Sequence, residues 1–483
     1  MKQFSDGFTW GVATSSYQIE GGWLEGGKGP SIWDVFAHTP GKILHGHTGD
    51  VACDHYHRYR EDVQLMADMG LTAYRLSISW PRILPAGGGA PNPEGIAFYS
   101  NLIDALLEKG ITPWVTLYHW DLPAALQFEH DGWLNPQMAD FFQHYADVCF
   151  EHFGDRVKHW ITLNEAWVVA MLGYGQGAFA PGRVSNAEPY QAGHQLLRAH
   201  AKAVDVYRRK YQAAQGGVIG ISNNCDWREP LTDTEKDRAA AERAVEFFLG
   251  WFADPIYHGR YPASMRTRVA DRLPRFTDED RALLQGSADF FGLNHYLTMY
   301  AAHADNGIDP VSIFGNAGLT EDQGLNLISD ESWSTTDMGW GIVPWGCRKL
   351  LHWINDRYGH PPIIVTENGC AFDDPPVDGV VNDMRRIDFY DGYLRECHRA
   401  LDEGVDLRGY FAWSFMDNFE WALGYTKRFG LHHIDFETGR RTPKASARWY
   451  AEVIRRNGLA EEGEKESGRK GERESGRKIT HGL

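Results

Sequence analysis

YREDVQLMADMGLTAYRLSISW, residues 59–80, contains one whole helix–strand repeat. Val63, Met66 and Met69 recur at a spacing of three with Leu65 on the adjoining stripe, which makes the apolar face of a helix. Gly70 supplies the stop, and TAYRLSISW (72–80) then reads as a strand. The same unit recurs along the chain. Short β-branched or aromatic runs stand at FTWGVATSS (8–16), ITPWVTLYHW (111–120), VKHWITLNEA (157–166), GVIGISNN (217–224), DFFGLNHY (289–296), PIIVTENG (362–369) and LRGYFAWSF (407–415). Helix-period sequence lies between them, as in IAFYSNLIDALLEKG (96–110) and FYDGYLRECHRALDEG (389–404). Eight strands alternating with helices predict an α/β fold, a single (β/α)₈ barrel with extended loops after its strands. An open doubly wound sheet is the competitor, but it would carry G-x-G-x-x-G after its first strand, and GVATSSYQIEGG does not match.

The barrel is expected over residues 1–457. A charged tail over 458–483, in which ESGRK occurs twice and apolar residues are nearly absent, reads as disordered. Lys plus Arg number 48 against 65 Asp plus Glu, and the net charge of −17 opposes attachment to nucleic acid or anionic lipid. No run approaches the roughly 18 consecutive apolar residues of a membrane span. The amino terminus has no signal-like apolar run, so the cytoplasm is the expected compartment. Six cysteines spread singly along the chain read as reduced thiols rather than as a zinc cage or a disulfide scaffold. Oligomeric state has no signature here.

In such a barrel, chemistry collects at the carboxyl ends of the strands. Those ends carry Gln18, Arg75, His119 with Trp120, Asn164-Glu165, Asn223-Asn224, Asn294-His295-Tyr296, Glu367-Asn368, and Trp413 followed by Glu420-Trp421. Amides, aromatic rings and two carboxylates converging on one mouth suit a polyhydroxylated ligand such as a sugar ring. One strand-end glutamate alone reads equally well as a salt-bridged structural group. Glu165 and Glu367, each beside an Asn on strands of one barrel, instead suggest the carboxylate pair that cleaves a glycosidic bond. Asp54-His55-Tyr56-His57 and His432-His433-Ile434-Asp435 match no metal-ligand spacing, and Ser77 and Ser79 lack the G-x-S-x-G elbow of a serine hydrolase. No metal and no organic cofactor is expected.

With FTWGVATSSYQIEGG, YHWDLP (118–123), TLNE (162–165), VTENG (365–369) and AWSFMDNFEW (412–421) in order, the chain resembles glycoside hydrolase family 1 from about Phe8 to Tyr450. The resemblance implies a retaining β-glucosidase acting on small β-glucosides or cello-oligosaccharides. Glu165 would be the acid/base and Glu367 the nucleophile, with carboxyl groups about 5–5.5 Å apart. Arg75 and Tyr296 would keep Glu367 ionised, Asn294 would orient the nucleophile side, and Asn164 would meet the sugar 2-hydroxyl. Gln18, His119, Trp120, Glu420 and Trp421 would read the ring, with Trp413 as its floor and Trp340 in the leaving-group subsite.

Where 6-phospho-glycosidases use a serine, a lysine and a tyrosine, this chain has Glu420, Lys427 and Phe429, which favours an unphosphorylated sugar. Two departures stand out. Ala166 replaces the usual proline after the acid/base, which should loosen that turn slightly, and Gly341 replaces a common acid, which should leave the aglycone mouth roomier. Other activities compatible with the same residues are β-galactosidase, β-fucosidase, β-mannosidase or transglycosylase. A non-catalytic sugar-binding protein would have no need of both carboxylates.

Overall fold

The computed structural model describes residues 2–304 and 321–461. Eight parallel strands close a barrel in chain order. They are β1 (Thr9–Ala13), β2 (Ala73–Ser77), β3 (Thr112–Tyr118), β4 (His159–Asn164), β5 (Val218–Asn224), β6 (Phe291–Asn294), β7 (Ile363–Asn368) and β8 (Leu407–Trp413). Each falls inside the run read as a strand from sequence. The ring closes where Gly409 of β8 pairs with Thr9 of β1. Helices cover the outside, which is why strands such as β7 are buried at every position, its apolar start Ile363–Val365 as well as its polar end Thr366–Asn368.

The helix before β2 spans His55–Asp68, with Val63 and Met66 buried and Leu65 half-buried at its margin. Inside the barrel, Ala13, Ala73, Trp114, Ile161, Phe290, Ile364 and Phe411 form a plug. The Trp114 ring meets Phe290 and Phe411 at centroid distances of 5.4 Å, near edge-on. Each large apolar side chain so buried contributes about 1.5–3 kcal/mol. The interior is therefore core, and the room for a ligand lies above it, at the strand carboxyl ends.

Three smaller sheets lie outside the sequence reading. Trp227–Pro230, Thr298–His303 and Leu325–Ile328 form a three-stranded sheet built from the loops after β5 and β6. His432–Ile434 pairs with Arg441–Pro443. Gly458–Leu459 pairs antiparallel with Lys2–Gln3, and Arg395 Nη2 donates to Ala460 O at 2.9 Å. The folded body thus runs past the boundary drawn at 457, because Gly458–Leu459 returns to pair with Lys2–Gln3. The rest of the expected tail, 462–483, lies outside the described residues. Among the described residues no helix is long and apolar enough to cross a membrane.

Candidate active site

Glu165 follows β4 directly and takes a left-handed backbone, φ 50° and ψ 62°, rare for a residue with a Cβ. Its amide donates to Ser222 O of β5 at 2.8 Å, and a short helix begins at the next residue, Ala166. The first position of a helix has no intrahelical partner for its amide, so alanine there costs only the stiffness proline would add. Across the mouth, Glu367 lies in β7 and is 3% exposed. Gly369, two residues on, is forced by space, since a Cβ there would lie 1.8 Å from Trp413 O.

The two carboxyls have different neighbours. Glu367 Oε1 accepts from Arg75 Nη1 at 2.5 Å, and Oε2 accepts from the Tyr296 hydroxyl at 2.6 Å. Glu165 Oε1 accepts from Asn294 Nδ2 at 2.6 Å. Burial, then the charge of Glu367, pushes the Glu165 carboxyl well above the usual range, with Asn294 and Arg75 opposing. Burial also raises Glu367, but Arg75 and Tyr296 hold it below its partner. One proton shared by the pair therefore rests on Glu165.

A chain of amides locks this arrangement. Asn294 Oδ1 lies 2.9 Å from the Ser222 hydroxyl and 2.7 Å from that of Thr366, so its Nδ2 is turned toward Glu165 and Asn164 Oδ1. Asn164 Oδ1 also accepts from Arg75, and its Nδ2 donates to His119 Nε2 at 3.1 Å. That leaves Asn164 one N–H for a ligand. Burial, then Arg75, holds the His119 pKa well below its ordinary value, so the ring is neutral. Ser222 and Thr366 were not singled out from sequence, because a hydroxyl on a barrel strand carries no pattern of its own.

One wall of the mouth is aromatic. Trp413 and Trp421 both lie nearly parallel to His119, at 5.9 and 6.0 Å. Trp120 packs on Trp421 at 4.4 Å and donates Nε1 to Asn164 O. Trp340 is half-buried beside Tyr296 (5.5 Å) and Phe429 (6.1 Å). Gln18 is 0% exposed and bonded to Ser15, Asn418 and Phe419. Half-buried Glu420 keeps one carboxyl oxygen, Oε2, buried without a hydrogen-bond partner among the described residues. Burial, then the charge of Glu367, lifts its pKa to about 8.

Lys427 donates its Nζ to Asp337 O at 2.6 Å, and Phe429 is buried beside Tyr296 and Trp340. The room expected beside Gly341 is taken by Trp333, whose ring would come within 2.9 Å of a Cβ there. Of the histidine clusters, His55 is bound to Asp62, His57 to Asp54 and Glu25, and His432 to Phe415 O.

Residues 1–459 match the model of glycosyl hydrolase family 1. The chain belongs to that family. As a family 1 glycoside hydrolase it is 51% identical to Beta-glucosidase 42 of Arabidopsis thaliana over 94% of each chain. Beta-glucosidase 4 of Oryza sativa subsp. japonica is 50% identical over 94% of this chain and 95% of its own. A family 1 β-glucosidase from Thermotoga maritima superposes with a TM-score of 0.89 at 45% identity, covering 95% of this chain and 99% of that one. A rice β-glucosidase variant, solved in a covalent complex with glucose, gives a TM-score of 0.89 at 46% identity, with 93% and 98% covered.

Proposed function

We propose that this family 1 hydrolase is a retaining β-glucosidase that releases terminal β-D-glucosyl residues from small unphosphorylated β-glucosides, including cello-oligosaccharides. The observation that carries the reading is the unequal pair, with Glu367 gripped by Arg75 and Tyr296 and Glu165 held by Asn294 in the higher-pKa position. The ionised carboxylate attacks the anomeric carbon as the protonated one gives its hydrogen to the departing oxygen. A glycosyl ester forms on Glu367 and its negative charge is lost. Glu165 then becomes the base that takes a proton from water, and the second displacement restores the β configuration.

Asn164 has one N–H left for the sugar 2-hydroxyl, a bond that strengthens as the ring flattens toward an oxocarbenium ion. Glu420 offers a buried carboxyl oxygen with no hydrogen-bond partner among the described residues, and Lys427 is already engaged by Asp337 O, which supports a plain glucoside over a phosphorylated one. The covalent glucose complex of the rice relative supports the ester intermediate. Six free buried cysteines agree with a reducing compartment such as the cytoplasm.

The test is kcat/KM on 4-nitrophenyl β-glucoside, β-galactoside, β-mannoside and 6-phospho-β-glucoside, together with trapping by 2-deoxy-2-fluoro-β-glucosyl fluoride. Preference for the glucoside and a mass increase mapped to the peptide holding Glu367 are the expected results. Preference for the phosphorylated sugar refutes the reading of Glu420, and absence of a covalent adduct refutes the double displacement.

A further inference from the structure

Gln18 comes from the short helix Ser16–Ile19 after β1, and Asn418 from the loop after β8, 400 residues later. The Gln18 amide is fully committed on its nitrogen side. Nε2 donates to Asn418 Oδ1 at 3.0 Å and to Phe419 O at 2.8 Å, while Oε1 accepts from Ser15 Oγ at 2.6 Å. Turning the amide over would aim its oxygen at two other acceptors, so the orientation is fixed. What Gln18 retains for a ligand is the second lone pair of Oε1.

Asn418 is itself fixed. It is 2% exposed, and its Nδ2 donates to Ser414 Oγ at 2.8 Å and to Met416 O at 3.0 Å. Its oxygen therefore faces Gln18. Ser414 follows Trp413, the floor of the ring site, and Phe419 precedes Glu420. The loop that follows Trp413 and carries Glu420 thus also sets the orientation of a side chain from the far end of the sequence.

We infer that Asn418 is a positioning residue, which holds Gln18 as a hydrogen-bond acceptor toward the sugar and so sets discrimination at the ring hydroxyls remote from the leaving group. This rests on the reading of the site as a β-glucosidase in which Gln18 meets the sugar. A ring hydroxyl donates to Gln18 Oε1, and an epimer with that hydroxyl on the other face leaves the second lone pair of this buried oxygen unused. Asn418 touches no sugar atom in this scheme and acts through Gln18.

A double-mutant cycle tests it, with kcat and KM measured separately on 4-nitrophenyl β-glucoside and β-galactoside. Asn418→Ala is expected to raise KM for the glucoside roughly 10-fold with a smaller change in kcat, and to shrink the glucoside-to-galactoside ratio. In a Gln18→Ala background the same change is expected to have an effect below about 2-fold, because the group it positions is gone. Gln18→Glu keeps the acceptor but loses both N–H donors, and is expected to be as damaging as Gln18→Ala. Ser414→Ala, which loosens Asn418 without removing it, serves if Asn418→Ala does not fold, and is expected to shift the ratio in the same direction. Additive losses in the double variant, or an unchanged ratio, overturn the role of Asn418. No effect of Gln18→Ala on the glucoside overturns instead the reading that Gln18 meets the sugar.

Discussion

Arg75 Nη1 lies 2.5 Å from Glu367 Oε1, and both side chains are almost closed to solvent, at 1% and 4% exposure. A guanidinium that close favours the ionised carboxylate, the form that must attack. Without it, burial acts on Glu367 unopposed from that side and its pKa rises. In Arg75→Gln the acidic limb of kcat/KM against pH is therefore expected to move to higher pH. At pH 6 the loss should be roughly 10²-fold or more, measured on 4-nitrophenyl β-glucoside. An acidic limb that stays in place would show that Tyr296 alone holds the charge.

Glu165 has the opposite task. Its raised pKa favours the protonated form that can serve as the acid, so activity is present below that pKa and lost as pH rises through it. Glu165→Gln should remove the alkaline limb. It should lower kcat/KM on cellobiose by about 10²–10⁴-fold, and much less on 2,4-dinitrophenyl β-glucoside, whose leaving group needs no proton. Equal losses on both substrates would assign Glu165 a binding role.

Glu420 carries a proton below about pH 8, because burial and the charge of Glu367 disfavour its ionised form. A neutral carboxylic acid donates one hydrogen bond and accepts others, as does a primary amide. Glu420→Gln is thus expected to retain kcat/KM at pH 6 within roughly 10-fold, whereas Glu420→Ala leaves the sugar hydroxyls unpaired and should lose about 100-fold or more. If Gln and Ala are equally damaging, the carboxylate is the working form.

What could be read from the sequence divides along a physical line. Val63, Met66 and Met69 in the helical stretch and the apolar start of β7, Ile363–Val365, reflect burial, and burial repeats with the period of the element. Glu165 and Glu367 were legible because strand ends in a barrel face one mouth. Ser222, Thr366 and Asn418 were not, because each acts only through the amide it turns, and that depends on approach across strands distant in sequence. The reading of Gly341 as open space failed for a related reason, since Trp333, eight residues earlier, folds back over it. The sheet from the loops after β5 and β6 escaped because its strands are short and lack a clean alternation.

Asp417 tests the scaffold of the loop after β8. It is wholly buried and accepts from Lys444 Nζ at 2.7 Å, Arg428 Nη1 at 2.8 Å and the Gly430 amide at 2.9 Å. Against the cost of burial, Lys444 and Arg428 hold its pKa below the ordinary value. A depressed carboxyl contributes stability above its unfolded pKa and loses it as pH falls through the folded one. Asp417→Asn leaves the buried ammonium of Lys444 uncompensated, and about 3–5 kcal/mol should be lost in urea unfolding at pH 7. The gap to wild type should narrow as the medium becomes strongly acidic.

The carboxyl-terminal boundary can be located by truncation. Leu459 is 1% exposed and pairs with Lys2, Gly458 pairs with Gln3, and Ala460 O holds Arg395. All three lie by the segment that leads into β1, hence at the amino-terminal face of the barrel, away from Glu165 and Glu367. Ending the chain after Glu461 keeps these contacts and is expected to leave both kcat/KM and the thermal midpoint unchanged. Ending it after Asn457 removes the two-stranded pairing and the buried leucine, a loss of roughly 1.5–3 kcal/mol from that side chain alone. The midpoint should fall while kcat/KM at 25 °C stays within about 2-fold, since rate depends on the opposite face. A drop in kcat/KM on removing only residues 462–483 would mean that this segment reaches the catalytic mouth.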